Sequence, residues 1–405
     1  MKYTLTVKKY DRECNIIYDS RMNSLTKEDG IIISVNKQNN SPKYNSLRIN
    51  VVLGQQCNYT CKYCWQDSHT TNYLFDKIID NFVFSLKEYY EKYYSKCNNV
   101  HIVYWGGEPL VYYHLMKELH NEMKDAFKNA RFGICTNGAL LNEENSKWIL
   151  DNNIGIGLSY DGPGQFIRDK NDILAKGTFS LEFIKYLLTK TKHISFNPVW
   201  HKYNNLISRY IECVNEKVET DTWKVGTSGI YTIHGESSLK YAMNEEESIN
   251  FINDSITLMY TDKLGPFFNT HSKFALDFLC NLNNSEYQRG CSNTPEQNTL
   301  NVTLDGNLWG CHNDIGTYKD ELNGNRYKGN IQSNIIPLEY KVFKHNKNTR
   351  CLDCVLRGVC RGICMITPLR YADINCRLHY SYHFPSLSLA MNILTGGQLI
   401  NVSLC

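Results

Sequence analysis

From about residue 47 to residue 226 the chain repeats one pattern, a short apolar run followed by a longer amphipathic segment, and this alternation restricts its possible folds more than any other feature. The strand-like runs are 47–53, 100–105, 131–135, 154–160, 193–200 and 223–226. Between them, segments such as 73–94 and 181–190 place apolar residues three and four apart, which is the helical period. Strands separated by helices pair in parallel, because parallel neighbours need a long crossover connection. Six such units over about 180 residues are too few for a closed eight-unit barrel, and they predict an α/β fold built on a partial (β/α)6 TIM-like barrel. Ligand sites in such sheets gather at the C-terminal ends of the strands, so chemistry is expected just after each run.

The first strand is followed by Cys57, Cys61 and Cys64, three cysteines at x3 and x2 spacing on one loop. Three thiolates can hold three irons of a 4Fe–4S cube and leave the fourth iron without a protein ligand. Zinc is the alternative, although it usually wants a fourth ligand in a paired arrangement, and His69 is off pattern. The second strand ends in Gly106, Gly107, Glu108 and Pro109, the third in Thr136, Asn137 and Gly138, and the fourth in Ser159, Tyr160, Asp161, Gly162 and Pro163. A glycine pair at a strand end lets backbone approach a ligand closely, and an Asp-Gly-Pro turn alone is ordinary loop chemistry.

The second half carries Cys291, Gly306, Cys311, then Cys351, Cys354, Cys360 and Cys364 at x2, x5 and x3 spacing, and finally Cys376. A zinc ribbon would also use such pairs. Sixteen cysteines in a small secreted domain would suggest disulfides, but this chain has 405 residues and charges scattered through its first fifteen. Metal ligation in a cytoplasmic protein is the better account. Lys+Arg 44 against Asp+Glu 41 is no basic stripe for nucleic acid, and no apolar run reaches membrane-spanning length. The reading divides the chain into a strand-rich N-terminal extension (1–46), the partial barrel (47–230), a helical linker region (231–284), a small C-terminal cysteine domain (285–380) and a tail (381–405).

The cysteine loop with Tyr63 before its last cysteine, followed by the three strand-end motifs, resembles the radical S-adenosylmethionine (SAM) superfamily, and the C-terminal array resembles its iron–sulfur SPASM domain. The resemblance implies three 4Fe–4S clusters and SAM as cofactors. Cys57, Cys61 and Cys64 would hold the cluster that cleaves SAM. Tyr63, Gly106, Gly107, Glu108, Asn137, Ser159, Asp161, Arg168 and Asn197 would surround SAM, with Arg168 toward its carboxylate. Carried over by position, Cys351, Cys354, Cys360 and Cys376 hold an outer auxiliary cluster, and Cys291, Cys311 and Cys364 an inner one that is one ligand short. Cys280, Glu296 or an open iron would complete it.

Enzymes of this kind modify peptides, and the expected function is a maturase that abstracts a hydrogen from a ribosomally made peptide and installs an intramolecular C–C cyclophane or thioether cross-link. An anaerobic sulfatase-maturating enzyme that makes formylglycine is the alternative. It is disfavoured because His312 stands where those enzymes carry an aspartate, and His312 or Asp314 would be the base. A non-catalytic iron–sulfur electron carrier is the reading of another class, and it would need no SAM motifs. Implied partners are a precursor peptide, an electron donor such as a flavodoxin or ferredoxin, and a separate leader-binding protein, with neither nucleic acid nor membrane. Cys14, Cys97, Cys135, Cys213 and Cys405 fit no ligand pattern and read as inert thiols.

Overall fold

The computed structural model describes residues 1–33, 46–64, 79–226, 229–233, 235–261, 263–285, 298–313, 315, 327–332, 349–360, 362, 364 and 367–405. The chain opens with β1 (Lys2–Lys9), β2 (Arg12–Asp19), β3 (Ser24–Lys27) and β4 (Ile32–Ile33). The barrel region follows as β5 (Ser46–Val52), α1 (Ile79–Tyr93), β6 (Asn99–Trp105), α2 (Tyr113–Ala126), β7 (Arg131–Thr136), α3 (Glu143–Asp151), β8 (Gly155–Leu158), α4 (Phe179–Lys190), β9 (Ile194–Phe196), β10 (Val199–Trp200), α5 (Ile207–Val218) and β11 (Gly229–Ile230). Beyond it lie α6 (Glu245–Tyr260), α7 (Phe268–Cys280), β12 (Thr299–Thr303), β13 (Asn307–Trp309), β14 (Tyr327–Asn330), α8 (Thr349–Leu352), α9 (Ala372–Thr395) and β15 (Gln398–Leu404).

Strands β5 to β9 pair in parallel in sequence order, as the strand–helix alternation predicts. Leu47, Ile49 and Val51 of β5 are buried in the core on one face, and Arg48 and Asn50 alternate with them on the other. The helices start where the sequence caps them: Asn142 and Thr178 side chains accept from the third backbone N–H of α3 and α4. The expected sixth strand, 223–226, forms only a single bridge, Phe196 to Val225. The sixth parallel place is filled instead by β12, which pairs with β5 from Thr299–Arg48 to Thr303–Val52. Antiparallel β13 and β14 extend this edge into an eight-stranded sheet that does not close. An unpaired β5 edge would expose a row of backbone donors and acceptors, and β12 covers it.

The two chain ends meet. β15 pairs antiparallel with β1 in a five-stranded sheet, so residues 381–405 supply the end of α9 and a sheet edge. The sheet's buried face, with Leu5, Val7, Tyr18 and Leu25, packs on the helical layer, where Tyr18 meets Phe278 of α7 edge-on at 5.6 Å. α9 is buried along most of its length from Leu378 to Met391, tolerates Pro385 inside, and ends at Gly396 in the left-handed conformation. A glycine takes that cap without a Cβ penalty. Among the described residues, no helix is long and apolar enough to cross a membrane.

Candidate active site at the strand ends

The loop after β5 is locked to the next strand end by backbone. Gly107 N–H donates to Gly54 O at 3.0 Å and Glu108 N–H to Gln56 O at 2.9 Å. A Cβ on Gly107 would stand 2.3 Å from Gln56 O, and one on Gly106 2.4 Å from Gly54 O, so both positions must be glycine. Their role here is to let the strand end of β6 lie against the chain leading into Cys57.

Glu108 is buried, and its carboxylate oxygens accept from Leu110 N at 3.0 Å, Thr136 Oγ1 at 2.7 Å and Asn137 N at 2.7 Å. It ties the β6 and β7 ends together, and burial raises its pKa despite these donors. Asn137 in turn donates to Asn58 Oδ1 at 2.8 Å and reaches Cys57 Sγ at 3.9 Å. Ser159 N–H donates to Thr136 O at 2.8 Å. Asn197 lies deeper, with its amide 3.9 Å from Cys135 Sγ. The motif residues therefore form a chain of contacts across three strand ends that terminates on a cysteine of the loop.

Cys61 is buried and its thiol is pushed up to about 12, first by burial and then, against the nearby Arg168, by Cys64 and Cys57. Cys57 is shifted upward in the same way. Cys64 follows Cys61 on the same loop, its N–H donating to Cys61 O at 2.9 Å, and a bound cation would draw off the protons of such thiols.

Below the loop sits a buried ionic knot. Asp161 is fully buried, and it accepts from Val199 N at 2.9 Å and from Tyr63 Oη. Arg168 lies 3.7 Å from it and donates to Tyr63 Oη at 2.9 Å, and His201 Nε2 is 3.4 Å away. Burial alone would raise the Asp161 pKa, but Arg168, His201 and Tyr63 outweigh it and hold the carboxyl below its ordinary value. Lys62 N–H to Ile167 O at 3.0 Å ties the cysteine loop to this turn. Arg168 Nε and Gln165 Nε2 are buried without a hydrogen-bond partner, which fits a site that takes an oxygen-bearing ligand. His201 gave no motif signal, because its place under Asp161 depends on how the β10 segment folds back.

His312 is buried against Trp105, ring centroids 4.1 Å apart, and burial followed by the Arg48 charge pushes it down to about 3. Burial thus disfavours the protonated imidazole there. Asp314, Cys291 and Glu296 lie outside the described residues. Cys280 is exposed at the end of α7, while Cys311 follows β13 and Cys364 follows the Cys360 turn.

Of the C-terminal cysteines, four come together from two elements. Burial first and then Cys376 of α9 raise the thiols of Cys351, Cys354 and Cys360, to which Cys351 adds at Cys354 and Cys360, with Cys354 at about 11. The N-terminal sheet buttresses this segment: Arg357 donates to Ser20 O at 2.9 Å and Arg21 O at 2.8 Å, and Ser20 Oγ to Leu352 O at 3.0 Å. His379 and His383, one turn apart on α9, have ligand atoms within 4.8 Å of each other and of Cys360 Sγ. The spacing Cys376, His379, His383 on one helix was the overlooked signal.

Comparison with known proteins matches residues 51–205 to the Radical SAM superfamily. The radical SAM cyclopropyl synthase TigE of Paramaledivibacter caminithermalis is 25% identical over 345 residues, 78% of this chain and 67% of that protein. The cysteine-type anaerobic sulfatase-maturating enzyme of Clostridium novyi is 22% identical over 324 residues, 76% and 84% of the two chains. The fold resembles the solved anSMEcpe with bound AdoMet and Kp18Cys peptide (TM-score 0.59, 19% identity, 86% of this chain and 99% of that one). It also resembles Streptococcus suis SuiB bound to precursor peptide SuiA (TM-score 0.52, 15% identity, 80% and 72%).

Proposed function

We propose, from the premise that this chain belongs to the radical SAM superfamily through its residues 51–205, that it is a peptide maturase that installs an intramolecular cross-link in a ribosomally made peptide. The observation that carries this reading is the tie of the Cys57–Cys64 loop to the strand ends and to the Tyr63–Asp161–Arg168 knot, through Asn137 to Asn58, Lys62 N–H to Ile167 O and Tyr63 to Asp161. With its cluster bound, such a site supplies one electron to SAM and generates the 5′-deoxyadenosyl radical that abstracts a substrate hydrogen.

The chain's own residues position and shield. Cys57, Cys61 and Cys64 hold the cluster; the glycine contact at Gly106 and Gly107 fixes their loop; Glu108 and Asn137 register the adjoining strand ends. Arg168, held by Asp161 and Tyr63, offers its remaining donors to the carboxylate of SAM. Cys351, Cys354, Cys360 and Cys376 hold an outer auxiliary cluster and Cys291, Cys311 and Cys364 an inner one, giving three in all. Auxiliary clusters suit an oxidative coupling, because a substrate radical that closes a bond must return an electron. A flavodoxin or ferredoxin would reduce the enzyme in the cytoplasm, and a separate protein would present the leader.

The likeness to sulfatase-maturating enzymes supports formylglycine formation as a second reading, but His312, which stands where those enzymes carry an aspartate, is packed on Trp105, where burial disfavours its protonated form. The test is anaerobic incubation of the reconstituted protein with SAM, dithionite and the small peptide encoded beside its gene. Formation of 5′-deoxyadenosine together with a peptide lighter by two hydrogens and resistant to sequencing across the bond supports cross-linking. A peptide carrying an aldehyde supports the second reading. No SAM cleavage by a fully clustered protein would leave only an electron carrier.

A further inference from the structure

The concave face of the sheet is hollow where a closed barrel would be packed. A barrel lumen is normally filled by branched apolar side chains in layers. Here β7 presents Gly133 and Cys135, β8 presents Gly155 and Gly157, and β9 presents Ser195, and a cavity of about 610 Å³ remains. A Cβ at Gly157 would come 2.6 Å from Asn197 Nδ2, so the wall there is already as close as backbone permits.

The cavity's charge is one-sided. Arg48, Arg131, Lys192 and Lys224 line it, and no carboxylate does among the described residues. Arg131, Lys192 and Lys224 are exposed at the mouth, while Arg48 is mostly buried inside, opposite His101 in the strand register. Arg48 Nε donates to Asn50 Oδ1 at 2.9 Å, and the guanidinium makes no ion pair with any described carboxylate. No Asp or Glu occurs in the sequence between Asp29 and Asp67. A buried guanidinium without a counter-ion is costly, and a planar fork of donors matches a carboxylate. Contrast Arg168, which has Asp161 at 3.7 Å.

We propose that this lumen is a carboxylate subsite, in which Arg48 receives the side chain of an Asp or Glu of the substrate peptide while Arg131, Lys192 and Lys224 draw the acidic segment in. The inference rests on the peptide-maturase reading and names its substrate class. Arg48 lies four residues before Val52, the end of β5, which is roughly 13 Å of strand. An extended peptide spans that distance in about four residues, so the acidic residue stands about four positions from the modified one.

The probes are the capped peptide Ac-Gly-Ile-Ser-Gly-Glu-Gly-Ser-NH2 and its Glu→Gln counterpart, titrated calorimetrically into the reconstituted enzyme with SAM at low salt. The Glu peptide should bind roughly ten-fold tighter, the range of one charge-assisted pair. Arg48→Gln should reduce that preference below about two-fold, and Arg48→Lys, which keeps charge but not the fork, should retain about three-fold. The exposed double change Lys192→Gln/Lys224→Gln, which cannot disturb the core, should flatten the salt dependence of Glu-peptide binding. Equal binding of the two peptides, binding of neither, or a Glu preference that survives Arg48→Gln would overturn the proposal. Glutarate binding as tightly as the Glu peptide would overturn it too, in favour of a small dicarboxylate. SAM cleavage with the gene-adjacent peptide present is measured in parallel: its absence, with the Glu preference intact, removes the maturase reading and leaves the subsite.

Discussion

The two cysteine centres are built in opposite ways. At the strand ends, one short loop supplies Cys57, Cys61 and Cys64, and everything beneath it is charged or hydrogen-bonded: Glu108, Asn137, Asp161, Arg168, Tyr63 and His201. In the C-terminal half, Cys351, Cys354 and Cys360 come from a turn-rich segment and Cys376 from a helix that also brings His379 and His383 to Cys360, the whole braced by the N-terminal sheet. A 4Fe–4S cluster held by the three cysteines of the first centre would keep one iron free of protein ligands beside Arg168 and Gln165, which have buried donors without a partner. The second brings imidazoles as well as cysteines together, His379 and His383 beside Cys360. The two centres therefore differ in the residues around their cysteines, an ionic and hydrogen-bonded network at the first and imidazoles at the second.

The largest expected effect separates the centres by iron content. After anaerobic reconstitution the wild type should hold about twelve irons, and the Cys57→Ala/Cys61→Ala/Cys64→Ala variant about eight with SAM cleavage abolished. Cys354→Ala should also lose about four irons yet still cleave SAM, failing instead at product formation. If Cys354→Ala abolished SAM cleavage, the division of labour would be wrong.

The ionic knot gives the next effect. Asp161→Ala leaves Arg168 buried without its carboxylate, and urea denaturation should show a loss of about 3–5 kcal/mol. Because the folded-state pKa of Asp161 is depressed, the stability it contributes is present above its ordinary value of 3.8 and is lost as pH falls through the lower folded value. An acid titration of stability should therefore lose this component in Asp161→Asn.

Gly107→Ala is expected to be milder. Its Cβ would meet Gln56 O at 2.3 Å, and the required shift costs about 1–3 kcal/mol while loosening the Cys57 loop. Iron retention during gel filtration should fall at the first centre and not at the second. The smallest effect is at the brace: Arg21→Ala removes an exposed pair with Asp353, and the denaturation midpoint should not move measurably. Arg357→Ala, which strips two carbonyl contacts from the same brace, should release iron from the second centre.

The amino-acid sequence by itself determined the strand–helix periodicity, and with it the parallel order of β5 to β9 and the place of each motif at a strand end, because local period and turn chemistry act over a few residues. It also marked Cys57, Cys61 and Cys64, since ligands on one loop carry their spacing with them. Only the tertiary structure decided that β12 fills the sixth parallel place, that β15 closes on β1, that Glu108 ties strand ends, and that His201 sits under Asp161. Pairing between strands hundreds of residues apart leaves no local trace, and any apolar strand could have covered the β5 edge. Arg48 marks the same limit: in sequence it is one basic residue among many, and its meaning comes from the glycines that line the same cavity and from the lack of a carboxylate there among the described residues.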